Sequence, residues 1–481
     1  MIITTELKAS PHIDEAYIDG AFVRVHGSEV VASVNPATEQ TIGTAVLADR
    51  EDARLAIAAA RRAQDRLRHT SKAERIDMLH SLRAAVLAQT ERIRDITIEE
   101  YGGPAARAQW ISQYASQCFA NTAAALAHHE PARRVGESTV LMEPVGVSVL
   151  IAPWNSAAGS ICSKLASALA AGCASIIKPS EFSILQTRVV TEALHAAGLP
   201  AGVFNVVVGR GADVGDELAT HPDVARISFT GSTVTGKLIA RAAVGTMKRV
   251  SLALTGKSAS IVLDDADLSL ALPLAVHAAF MNNGQACIAG TRVLVPRARM
   301  DEVSERLRAI VAGMRVGDPR DPATQIGPLA SLAQFDRIQR YIRRGLEQGA
   351  SLVVGGEGKP EGLDTGFYVR PTVFANVSND MDIARDEIFG PVLSVIAYDH
   401  EDDAIRIAND SVYGLQAYVF SSQPERAAGM APRLQAGTVL VNRITPDLLA
   451  PFGGVKESGI GREFGEYGFE AFLEPKTVSV G

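Results

Sequence analysis

Residues 146–178 read GVSVLIAPWNSAAGSICSKLASALAAGCASIIK, and the architecture turns on this stretch. Residues 146–151 form a short apolar run that reads as a buried strand. Residues 160–171 read as a helix and 174–178 as a second strand. The alternation continues downstream. Residues 184–197 form a helix closed by Gly198 and Pro200, followed by a strand at 203–208 and a helix at 211–220. A strand at 226–230, a helix at 234–243 and a fifth strand at 249–254 complete the series. Strands alternating with helices in this way predict a parallel sheet with crossover helices, the architecture of nucleotide-binding domains.

A second α/β series begins at Ser258. Its strands are expected at 261–263, 292–295, 351–354, 392–398 and 417–420, and its helices at 268–279, 300–314, 332–348 and 402–409. Upstream, Ala-rich and Arg-rich text predicts helices at 50–68, 73–88 and 106–127, with Gly102-Gly103-Pro104 as a break. The two series meet near Leu254, and neither an internal repeat nor a low-complexity linker separates them.

At 481 residues the chain is too long for one hydrophobic core. A hydrophobic share of 47% with 21% charged residues is ordinary for a globular protein. The net charge of -7 leaves no basic footprint for nucleic acid. Four cysteines without CxxC spacing do not make a disulfide scaffold and suit a reducing compartment. Residues 1–10 lack an apolar leader core, and the longest apolar stretch, 165–177, falls short of the about 20 residues that span a bilayer. No membrane association and a cytoplasmic location are therefore expected.

Six segments carry chemistry. They are Pro153-Trp154-Asn155, Lys178-Pro179-Ser180-Glu181, Phe229-Thr230-Gly231-Ser232, Asn283-Gly284-Gln285-Ala286-Cys287, Glu387-Ile388-Phe389-Gly390-Pro391-Val392 and Pro451-Phe452-Gly453-Gly454. Together, in this order and at this spacing, they resemble the NAD(P)-dependent aldehyde dehydrogenase superfamily, from about Asn35 to the C-terminus. The resemblance implies an α/β fold with a Rossmann-like cofactor domain (1–125 and 144–253), an α/β catalytic domain (254–467) and a small β oligomerisation arm (126–143 and 468–481). It also implies a homodimer or homotetramer, an aldehyde substrate and NAD as cofactor in preference to NADP.

On that resemblance Cys287 is the nucleophile. A soft thiol adds to the aldehyde carbon, and the thiohemiacetal loses a hydride to become a thioester. Asn155 and the Cys287 N–H are the expected oxyanion donors. Lys178 and Glu181 match the residues that hold the adenosine ribose, and a carboxylate there repels a 2′-phosphate. Glu387 and Phe389 match those at the nicotinamide side. Gly231 and Ser232, at a strand-to-helix turn, suit a phosphate as well as an ordinary helix cap. Ile151, Pro153, Trp154, Gly211, Gly215, Phe229 and Leu254 complete the expected cofactor contacts. Ser156, Ser160, Ser163, Met281, Ala286, Ile288, Arg443 and Phe452 are the expected substrate contacts, and Arg443 is a candidate for a carboxylate or oxygenated ring. No metal is called for.

One position departs from the pattern. Hydrolytic members carry Glu-Leu-Gly-Gly-Lys where this chain has Ala253-Leu254-Thr255-Gly256-Lys257. The residue expected to activate the deacylating water is thus an alanine. Four explanations compete: an engineered trap, against which Thr255 argues; a replacement carboxylate, with Glu463 first in line; acyl transfer to a thiol such as coenzyme A; and a silent scaffold.

Overall fold

The computed structural model describes residues 10–481. Residues 1–9, most of the segment expected to lack a leader core, lie outside the described residues. Five parallel strands form the centre of an eight-stranded sheet. In spatial order they are Arg249–Ala253, Arg226–Thr230, Ser148–Ile151, Ser175–Lys178 and Phe204–Val206. Strand order reverses between Ser148–Ile151 and Arg226–Thr230, so a crevice opens beyond their C-terminal ends, where open α/β sheets bind ligands. Glu15–Ile18 and Ala21–Arg24 extend one edge in antiparallel sense, and Gly459–Ile460 closes the other.

The helices cover this sheet with small residues. Asp49 caps Arg50–Leu67 in a reciprocal capping box with Asp52, and the buried stripe Ala53, Ala56, Ala59, Ala60 and Ala63 lies along its inner face. Ala157–Ala170 is buried along almost its whole length.

The second sheet has seven strands. Thr372–Ala375, Val392–Tyr398, Arg292–Pro296, Ala259–Val262, Gln416–Phe420 and Thr438–Val441 run parallel in that order, and Ser351–Val354 adds antiparallel at one edge. A separate antiparallel sheet joins Ala132–Val135, Ser138–Pro144 and Leu473–Val478. Among the described residues no helix is long and apolar enough to cross a membrane.

Several elements differ from expectation. The helix Ala105–His128 runs through residues 126–128, with Leu126 buried, so the three-stranded sheet starts only at Ala132. The N-terminal hairpin was not expected. Its signal is Asp19-Gly20, both at positive φ (52° and 85°), which pairs Ile18 with Ala21. The helix Thr90–Tyr101 and the strands Thr372–Ala375 and Thr438–Val441 are also additions. Each strand is only four residues long, too short to show a periodicity.

Candidate active site

A cleft of about 470 Å³ opens at the strand-order reversal. Its lining brings together Pro153, Trp154 and Asn155 from beyond Ser148–Ile151, and Gly231 and Ser232 from beyond Arg226–Thr230. Leu254, Cys287, Glu387 and Phe389 from the expected set also line it, and Ala253, Thr255, Gln334, Arg337, Tyr341, Asp386 and Tyr413 join them. The volume falls within the about 300–1,000 Å³ usual for small-molecule sites.

Cys287 is held by an unusual turn. Asn282, Asn283 and Gly284 take φ of 57°, 59° and 70° in succession. A Cβ on Gly284 would sit 2.3 Å from the carbonyl carbon of Gly390, so the nucleophile loop rests directly on the Gly390-Pro391 backbone. The two left-handed asparagines hold themselves in place. Asn283 Nδ2 donates to Gly102 O and Pro328 O, and its Oδ1 accepts from the N–H of Gly327. Buried Gln285 donates to Tyr101 Oη at 3.1 Å and accepts from the N–H of Ala330.

Cys118, Cys162 and Cys173 are buried, whereas Cys287 is partly exposed. Desolvation pushes the Cys287 thiol up to about 12, the Glu387 charge adds to the rise, and its own and Ile288's N–H groups oppose it. Asn155 Nδ2 donates to Gln285 O at 2.8 Å, two residues before the nucleophile. One amide hydrogen is engaged there, which leaves the second for an oxyanion.

Glu387 Oε1 accepts the N–H of Gly256 at 3.1 Å. A Cβ on Gly256 would meet Cys287 O at 2.1 Å, so a single glycine separates the carboxylate from the nucleophile's backbone. Burial pushes the Glu387 carboxyl up to about 7, opposed by that N–H and by the Arg337 and Lys257 cations. Arg337, which the sequence reading missed, fixes this loop by donating to the carbonyls of Glu387 and Ile388. Phe389 sits at φ 63° with its ring edge-on to Trp154 at 5.3 Å.

The remaining expected cofactor residues lie around the cleft without lining it. Ile151 and Phe229 are buried at the ends of their strands, and the Phe229 ring fills the space beside Gly231. Buried Lys178 approaches Glu181 at 3.9 Å, and Gly215 faces the Lys178 side chain. Glu181 also accepts from Arg210 at 3.2 Å, a neighbour that local motif reading did not supply. A Cβ on Gly211 would meet nothing within 4 Å, so this turn is open rather than packed. Ser232 caps the helix Thr233–Val244 by accepting from the Thr235 N–H.

Substrate candidates divide. Ser156, Ser160, Met281 and Ile288 are half-buried around the nucleophile loop, and Ala286 is buried. Ile288 O accepts from Tyr418 Oη. Ser163 turns toward a second, smaller cavity with Lys164 and Glu463. Phe452 stacks on Phe464 at 5.4 Å. Arg443 is exposed and donates to Thr445 O in its own loop. Glu463 does not line the cleft: its carboxylate accepts from buried Lys164 at 2.5 Å. Ala253 is buried at its strand end, offering the cleft only a methyl group.

Comparison with known proteins agrees with this geometry. The aldehyde dehydrogenase family profile matches residues 22–478. A 3-succinoylsemialdehyde-pyridine dehydrogenase from a Pseudomonas species is 44% identical over 466 residues, 96% of this chain and 98% of that protein. A cysteine-to-alanine mutant of aldehyde dehydrogenase C from Pseudomonas syringae, solved with NAD+ and octanal, superimposes with a TM-score of 0.95 at 42% identity, covering 97% of this chain and 96% of that one. An aldehyde dehydrogenase from Mycobacterium tuberculosis in complex with NAD+ also reaches 0.95, at 38% identity, over 98% of this chain and 99% of that one. The chain belongs to the aldehyde dehydrogenase family.

Proposed function

We propose that this chain oxidises an aldehyde to a carboxylic acid on Cys287, with NAD as oxidant. The observation that carries the reading is the common lining of one cleft by Cys287, Asn155, Trp154, Glu387 and Phe389 at the strand-order reversal. NAD fits the groups present: an open turn at Gly211, the capped N-terminus at Ser232, buried Lys178 with Glu181, and the Trp154–Phe389 edge. Two structural relatives are described as NAD+ complexes. The Glu181 carboxylate supports NAD over NADP, and Arg210 beside it moderates that preference.

The Cys287 thiol gives its proton to solvent as the sulfur adds to the aldehyde carbon, and Asn155 Nδ2 with the Cys287 N–H holds the oxyanion. NAD, when bound, accepts the hydride that this carbon releases as the thioester forms. Water then attacks the thioester carbon, a C–O bond forms and the C–S bond breaks. We assign the water's proton to Glu387, the half-buried carboxylate that shares the cleft with Cys287. Cys287 leaves as thiolate and is reprotonated by the product acid, whose carboxylate departs, and Glu387 gives the water's proton up to solvent.

The same reading divides the chain into a cofactor domain, a catalytic domain and an arm. The open outer edges of the three-stranded sheet support assembly into a homodimer or homotetramer through the arm. Four free cysteines support a reducing, cytoplasmic setting.

Stopped-flow NADH formation tests the chemistry. A burst of about one NADH per active site is the expected signature, with none from Cys287→Ala. A burst without later turnover, restored by coenzyme A, would move deacylation from water to a thiol. A broad aldehyde panel without any NADH would leave only a silent scaffold.

A further inference from the structure

Arg107 lies in the first turn of the helix Ala105–His128, and its guanidinium carbon sits 4.3 Å from the centre of the Trp110 ring. Nε donates to Asn282 Oδ1 at 3.3 Å. Asn282 Nδ2 in turn donates to Asn155 O and to Gln285 O, both at 3.1 Å. Arg107 is therefore two hydrogen bonds from the backbone that carries both the oxyanion donor and the nucleophile. Nη1 and Nη2 make no hydrogen bond or ion pair with any described residue.

Two other sheltered arginines behave differently. Arg292 reaches four partners: Lys257 O, Asn379 Oδ1, Ile407 O and Ala408 O. Arg337 is spent on two carbonyls. Both Nη groups of Arg107 keep access to solvent, so a ligand can reach them. An aromatic wall continues from the same helix face. Trp110 stacks on Tyr114 at 5.0 Å, Tyr114 meets Phe464 edge-on at 6.2 Å, and Phe464 stacks on Phe452. Gly159 makes room for this wall, because a Cβ there would lie 2.7 Å from Tyr114.

We infer that Arg107 recognises a carboxylate on the substrate, so that the preferred substrate is a semialdehyde, an aldehyde with an acid group at its far end. The inference rests on the Cys287 reading above. Two free Nη groups in one plane match the two oxygens of a carboxylate. The aromatic wall covers the apolar part of such a molecule. Arg107 thus takes the part that sequence reading gave to Arg443, which faces solvent.

The test compares ω-carboxyl aldehydes, succinic semialdehyde among them, with n-alkanals of matching length. The native protein is expected to favour a carboxyl aldehyde. Arg107→Met should lower kcat/KM for it by about 10–100-fold, the loss of a charge-assisted hydrogen-bonded pair, mainly through KM. Alkanals should lose much less, sharing only the effect of the lost Arg107–Asn282 hydrogen bond, and Arg107→Lys should recover part of the carboxyl-specific loss. Preference for the alkanal at every length, or an equal loss on both series in Arg107→Met, overturns the inference and leaves the Cys287 reading intact. Absence of NADH from both series in the native protein takes both down.

Discussion

Glu463 Oε1 lies 2.5 Å from Lys164 Nζ, and the lysine side chain is 2% exposed against 17% for the glutamate. Breaking a buried pair by removing one partner typically costs about 3–5 kcal/mol, and the partial exposure of Glu463 puts this pair at the lower end. Glu463→Gln is expected to lower the thermal midpoint by several degrees yet keep steady turnover. The double variant Lys164→Met, Glu463→Leu should regain part of the stability. Melting curves and steady-state rates check this. A Glu463→Gln enzyme that keeps its NADH burst but stops turning over would instead make Glu463 the base.

Glu387→Gln is the complementary experiment. It should retain most of the burst at saturating NAD and lose about 10²–10⁴-fold in the steady rate, the usual worth of a general base. Loss of the burst alone, with KM for NAD raised and deacylation unchanged, would confine Glu387 to holding the cofactor.

That carboxyl also sets a pH dependence. Burial holds it at about 7, so the steady rate should climb through neutral pH as the base ionises, while the burst amplitude stays level. The stability effect has the opposite sense. The folded state binds this proton more tightly than the unfolded chain, so Glu387 stabilises the fold at pH values below the ordinary carboxylate range. That contribution is lost as pH rises to about 7. Melting midpoints of native and Glu387→Gln protein across this window should converge or cross, the native curve falling more steeply with pH.

Asn155→Ala removes an oxyanion donor and also leaves Gln285 O with one fewer partner, though Asn282 still donates to it. The expected loss is about 10²–10³-fold in the burst rate constant, with little change in the thermal midpoint. An unaffected burst rate would remove Asn155 from the chemistry.

Strands such as Arg226–Thr230 and Val392–Tyr398 were legible because a short stretch rich in β-branched and apolar residues between turn residues favours a strand. The cleft residues were legible through the six motifs that resemble the aldehyde dehydrogenase family, of which Pro153–Asn155 and Gly231–Ser232 follow strand ends while Glu387 and Phe389 precede Val392–Tyr398. Arg107 was not. A lone arginine in an Ala-rich helix has the texture of a solvated face, and its partner Asn282 is 175 positions away. Lys164 and Glu463 are 299 positions apart, so no local pattern joins them. Arg443 misled for the converse reason, since closeness in sequence to a recognisable loop says nothing about which way a long side chain turns.

Gly284 gives the sharpest test of how the nucleophile is held. Its φ of 70° is strained for any residue with a Cβ, and that Cβ would fall 2.3 Å from Gly390 C, 2.5 Å from Gly390 O and 2.5 Å from Pro391 N. None of these is the tip of a flexible side chain, so Gly284→Ala must push the Cys287 turn away from the 390–391 backbone. Asn282, Asn283 and Gln285 stay anchored by their own side-chain hydrogen bonds, which limits the damage to a local shift. The thermal midpoint should fall modestly, whereas the burst should drop by about 10²-fold, the typical cost of a misplacement of about 1 Å. Equal burst rates in the variant and native protein would mean that contact with the Gly390 loop does not position Cys287.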